Sequence, residues 1–118
     1  MPLKLLLLLS VACILVGCSS ISKLTIAFKE GNDFYKGIKI ELKKQKIGYV
    51  SSVKIYKESI LLKIKLDDKI KIPVGSQFIM YEALVGNPSI EVLLSDNKTF
   101  LSSKDTVQGI FKTIRAGQ

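Results

Sequence analysis

Covalent chemistry needs a nucleophile, an acid–base pair or a metal cage, and this chain of 118 residues is poor in all three. It has no histidine, the side chain best suited to proton transfer near neutral pH. It also has no glycine-rich loop running into Lys-Ser or Lys-Thr that would cradle a phosphate. The ten carboxylates are scattered, and carboxylates alone make a poor set of transition-metal ligands. Asp67-Asp68 is the one adjacent acidic pair. Neighbours along a strand point to opposite faces, so the pair reads as turn punctuation and not as a carboxylate dyad. These residues predict binding or transport without catalysis, and without a metal or organic cofactor. One reactive group stands out by its setting: Cys18, which closes the run Leu15-Val16-Gly17-Cys18.

The residues ahead of that cysteine explain it. Met1 to Lys4 is a brief positive segment, and Leu5 to Val16 is an apolar run of twelve residues interrupted only by Ser10. A bilayer span needs roughly 20 apolar residues, so the run reads as an export signal and not as a membrane helix. Leu15-Val16-Gly17-Cys18 resembles the lipobox of bacterial lipoproteins. The resemblance implies that residues 1–17 are a lipoprotein signal peptide and that Cys18 becomes the N-terminus, carrying a thioether-linked diacylglyceryl group and usually an N-acyl chain. Stable anchoring takes two or more chains, each buried methylene contributing about 0.8 kcal/mol. Cys13 would leave with the signal, so neither a disulfide nor a free thiol remains.

Removal of residues 1–17 leaves 101 residues, enough for one small domain held by packing alone. The net charge of +8 falls to +7 without Lys4, and sixteen of the remaining seventeen cations are lysine. Lysine is a solvated point charge suited to diffuse attraction. Export from the cytoplasm and the lack of aromatics interleaved with the basic runs argue against nucleic acid. Anionic lipid fits better, with Lys43, Lys44 and Lys46 as candidates for a screened, salt-sensitive attraction to lipid or to a carrier protein.

The rest of the chain reads as short strands between turn signals, with no helical apolar stripe. Expected strands are Leu24 to Phe28, Ile38 to Leu42, Lys46 to Tyr56, Ile60 to Leu66, Gln77 to Tyr81 and Ser89 to Leu94, with a last one near Thr106-Val107. Asp67-Asp68-Lys69 should break the fourth, Pro73 should end pairing, and Ser89 to Leu94 should form a hairpin with Thr99-Phe100-Leu101. Gly48, inside a strand, signals a bulge or a sharp bend. Seven to eight strands at this spacing predict an all-β sandwich or barrel.

Three segments narrow that choice. Asp33-Phe34-Tyr35-Lys36-Gly37-Ile38-Lys39-Ile40 followed by Lys46-Ile47-Gly48-Tyr49-Val50, then Ile72 to Gly86 with Ile90-Glu91-Val92 after it, and finally Lys104-Asp105-Thr106-Val107-Gln108 resemble the mammalian-cell-entry (MCE) domain. That is the domain of the membrane-attached, MlaD-like lipid-binding subunit of Mla phospholipid transporters. Gly37 and Gly48 carry most of the match; Gly37 suits a turn with φ > 0, and Gly86 closes the second segment. Two family glycines are replaced, by Lys44 and by Ala83, and Asn87-Pro88 stiffens the turn after Gly86.

The resemblance implies a seven-stranded MCE-type β-barrel over 23–110, after an acylated cysteine and tether at 18–22 and before a tail at 111–118. It implies a homo-oligomeric ring, usually a hexamer, with a hydrophobic pore that passes phospholipid, and partners in an ABC permease and ATPase and a soluble periplasmic carrier. Leu84 and Val85 are apolar in a loop that would ordinarily be polar. They either line that pore or fold back as a cap on the barrel core. The chain is thus expected in the bacterial envelope facing the periplasm. A ring working with an ATPase favours the inner membrane, whereas Ser19 after the acylated cysteine resembles the outer-membrane sorting pattern. The competing expectation is a monomeric structural or adhesive lipoprotein that binds anionic envelope material through its lysines.

Overall fold

The structure, a computed structural model, describes residues 20–82 and 86–113, without the side chains of residues 68 and 69. Every regular element among them is a strand: β1 (Ile21–Phe28), β2 (Lys39–Leu42), β3 (Gln45–Tyr56), β4 (Ser59–Ile70), β5 (Gln77–Tyr81), β6 (Ser89–Leu93) and β7 (Thr106–Lys112). They close into a barrel in the order β1-β4-β3-β2-β6-β5-β7. The β1–β7, β2–β6 and β5–β7 pairs are parallel and the remaining four antiparallel. Of the two architectures that strand spacing allowed, the barrel is the one formed, and closure removes most of the unpaired edges that an open sheet would expose.

Period-two alternation builds the core. On β4, Leu62, Ile64 and Leu66 are buried while Lys63, Lys65 and Asp67 are exposed. Leu24, Ile26 and Phe28 do the same on β1, and Ile40, Val50, Phe78, Met80, Ile90 and Val92 complete one continuous cluster inside the barrel. A ring of so few strands is only wide enough for its own side chains, so the lumen is a packed core and not a bore.

Three sequence expectations fail, each because of a tertiary partner. β4 is not ended by Asp67-Asp68-Lys69 but runs on to Ile70, which pairs with Ile21, while residues 66–69 bulge opposite Ser22. The hairpin between Ser89–Leu93 and Thr99 to Leu101 does not form: β6 lies between β2 and β5, so both of its edges are occupied. Phe100 instead makes an isolated bridge to Pro73, flanked by bonds from Val74 N to Thr99 O at 2.7 Å and from Leu101 N to Ile72 O at 2.8 Å. Pro73 therefore does not end all pairing. Its missing N–H costs nothing here, because its neighbours carry the bonds. The last strand is also longer than two residues, with Phe111 and Lys112 in β7 and Ile21 in β1, so strand extends beyond both expected limits of the barrel, 23 and 110.

The pairing directions sort the connections into two ends. At the proximal end the chain enters β1, Lys43-Lys44 turns β2 into β3, and residues 71–76 and 94–105 link β4 to β5 and β6 to β7. At the distal end lie residues 29–38, the Lys57-Glu58 turn, residues 82 and 86–88 and the exit from β7.

Candidate functional site

The three glycines expected to shape the barrel occupy different kinds of position. Gly37 has φ +103° and hands the chain into β2, its N–H donating to Val50 O at 2.8 Å; a Cβ there would meet nothing within 4 Å. Gly86 has φ +85° and is likewise open. Both are glycines for backbone conformation. Gly48 is one for space. It sits opposite both Ile40 and Leu66, and a Cβ would run into the carbonyl oxygen of Lys65 and lie 3.0 Å from Leu66 Cα. Next to it, the register shift between Ile40 and Glu41 leaves Ile47 without an opposite residue, the bulge that a mid-strand glycine signalled.

Lys44, where the sequence resemblance expects a glycine, also has a structural meaning. Lys43 and Lys44 have φ of 51° and 65° and form the two-residue turn between Leu42 and Gln45. Two successive residues with φ > 0 are what a type I′ hairpin turn demands, and Asn-Gly is its usual solution. Here two lysines take that conformation.

Leu84 and Val85 lie outside the described residues, as does Cys18. Their flanks are defined. Tyr81 closes β5, the Glu82 N–H donates to Lys112 O at 2.9 Å, and the chain resumes at Gly86 before β6. Beside these flanks is a cleft of ≈ 460 Å³ lined by Asn32, Asp33, Phe34, Tyr35, Met80, Glu82 and residues 86–88. Phe34 in its lining belongs to an aromatic cluster. Phe34 packs on Phe28 with ring centroids 4.8 Å apart and on Phe111 at 6.2 Å. Gly31 and Gly109 make room for those rings, since a Cβ on Gly31 would come within 2.7 Å of Phe34 and one on Gly109 within 2.5 Å of Phe28. The three rings lie where β1, the 29–38 connection and β7 converge, at the distal end of the lumen.

A second apolar feature at that end escaped sequence reasoning. β2 pairs with β3 only between Gln45 and Tyr49, with Gly37 and Ile38 bonding to Val50, so beyond the bulge at Ser51 the tip of β3 has β4 on one side and no strand partner on the other among the described residues. Val53 stands opposite Leu62 and Ile55 opposite Ile60, both of which belong to or pack on the core, so the inner face continues out along the β3–β4 hairpin. There Val53 is 37%, Ile55 76% and Tyr56 55% exposed. Alternation alone places Val53 and Ile55 in the core; only the unequal strand lengths show that they pass its rim. The distal end thus combines a cleft beside an aromatic cluster, an apolar hairpin tip and the two described flanks, Glu82 and Gly86, of the segment that holds Leu84 and Val85.

No protein-family model matches the chain, and no curated protein does. Among solved structures it is similar to a chain of the Acinetobacter MlaFEDB complex in ATP-bound Vtrans1 conformation, with a TM-score of 0.66, 10% sequence identity, and coverage of 97% of this chain and 91% of that one. At that identity the likeness is one of fold: the seven-stranded barrel is an architecture shared with a subunit of that complex, in agreement with the MCE-type barrel expected from the sequence.

Proposed function

We propose that this chain is a lipid-anchored, MCE-like component of a bacterial phospholipid transport system, which forms an oligomeric ring and binds or passes lipid without covalent chemistry. The observation that carries the reading is the fold likeness, over nearly the whole chain, to a subunit of the MlaFEDB complex. The packed lumen supports the second half of it. With Phe28, Phe78, Leu62 and Ile64 filling the barrel, an acyl chain has no route through a single copy, so lipid must travel on the outer surface or between copies. A closed ring brings the same loop of every copy to one axis. In this reading Leu84 and Val85 line that axis, Cys18 holds the ring to the membrane, and an ABC permease and ATPase drive exchange with a periplasmic carrier at the inner membrane.

The Leu84→Asn, Val85→Asn variant tests the site. A pore lining tolerates wet amides, so the variant should keep its thermal stability and its assembly while losing co-purified or photocrosslinked phospholipid. A cap on the core would instead lose two burials and gain unsatisfied amides, a destabilisation of several kcal/mol. Lipid retained at the normal level by a folded variant would remove both residues from the mechanism.

A further inference from the structure

The two ends of the barrel differ in charge and in what they expose. The proximal connections, Lys43-Lys44, 71–76 and 94–105, carry Lys43, Lys44, Lys71, Lys98 and Lys104 against Asp96 and Asp105. The described distal residues, 29–38, 57–58, 82 and 86–88, carry three lysines against Glu30, Asp33, Glu58 and Glu82. The proximal end is therefore basic and the distal end close to neutral.

Four apolar side chains are exposed within that basic end: Val74 (36%), Leu93 (44%), Leu94 (45%) and Phe100 (37%). They are held together by a hydrogen-bonded knot. Ser76 Oγ donates to Pro73 O at 2.7 Å and accepts from Ser95 N at 3.1 Å, Ser95 Oγ donates to Val74 O at 2.5 Å, and Val74 N donates to Thr99 O. Lys71 Nζ lies 5.7 Å from the centre of the Phe100 ring. Apolar side chains among lysines, on a rigid tip, suit the boundary between anionic headgroups and acyl chains, where a lysine stem can lie along apolar surface while its charge stays wet.

The path of the chain agrees. Ile21 pairs with Ile70 at this end, so the chain enters the barrel here. Cys18 is two residues before Ser20 and thus within about 7 Å of it in any conformation.

We propose that the proximal end is a membrane-docking face: Val74, Leu93, Leu94 and Phe100 enter the interfacial layer of an anionic bilayer, and Lys43, Lys44, Lys71, Lys98 and Lys104 engage its headgroups. The face acts whether or not Cys18 is acylated. It sets the barrel upright, with the cleft and hairpin of the distal end turned away from the membrane that holds it.

Depth-resolved quenching on the full chain separates this from the anchor. A fluorescent unnatural amino acid replaces Leu94, or Glu58 at the distal turn, and the protein is mixed with phosphatidylcholine vesicles, with or without phosphatidylglycerol, that carry nitroxide lipids. The expected result is a blue shift and strong quenching at 94 on phosphatidylglycerol vesicles, none above background at 58, and loss of docking at high salt. Lys71→Gln and Lys98→Gln should each lower affinity for the anionic vesicles about fivefold. Flotation reads the anchor independently. Protein that floats on both vesicle types with no more quenching at 94 than at 58 would overturn the docking face and leave the anchor standing. Flotation on anionic vesicles only, with quenching at 94, would uphold the face and remove the acyl anchor. A blue shift at 94 without lipid quenching would mean that a protein covers the face, and would overturn the proposal.

Discussion

Gly48 and Gly37 show how two glycines of one motif can be required for different reasons. At Gly48 the obstacle is the backbone of β4, which cannot step aside without opening the barrel; at Gly37 it is a φ of +103° in open solvent. Gly48→Ala should therefore cost about 2–3 kcal/mol as an overpacking clash, and Gly37→Ala about 1–2 kcal/mol as backbone strain. Urea denaturation of the two variants checks the order, and equal costs would mean that the Gly48–Lys65 approach is not tight. Lys44 presents the opposite case, a bulky residue where φ is 65°. Lys44→Gly should raise stability by about 1 kcal/mol, seen as a higher denaturation midpoint at unchanged slope.

At the scale of elements, most strands were legible because alternation is a local signal. Gln77 to Tyr81 is a strand with the expected limits, and β2, β3 and β6 begin or end within one residue of expectation. What local pattern cannot hold is pairing. The edges of β6 were already taken by β2 and β5, which no property of Ser95-Asp96-Asn97-Lys98 discloses, and β4 continues past the acidic run after Leu66 because Ile70 beyond it finds a partner in Ile21 of β1. The candidate site was legible to the same degree. Gly37, Gly48 and Gly86 could be picked by type, whereas the exposed tip of β3 and the sorting of charge between the two ends exist only once the strand directions are known. Register also sets Lys23 directly opposite Lys65 on the outer face, with Lys63 two pairs away on the same face. Like charges in that geometry repel. Lys65→Glu should stabilise the barrel by about 0.5 kcal/mol at low salt, a gain that shrinks as salt screens it; a gain independent of salt would point to packing instead.

On the scale of the whole molecule, the fold divides its work along one axis. The chain enters at the basic, apolar-tipped end, the lumen between is solid with side chains, and the cleft and the hairpin tip gather at the other end. A single barrel of this kind has exposed apolar surface but no conduit, so the proposed transport depends on copies meeting around an axis. Native mass spectrometry of the protein extracted from membranes in mild detergent tests that dependence most directly. The expected species is a closed assembly of about six chains that retains phospholipid and releases it only when the ring is dissociated. A single chain without bound lipid, at concentrations where the barrel is fully folded, would contradict it.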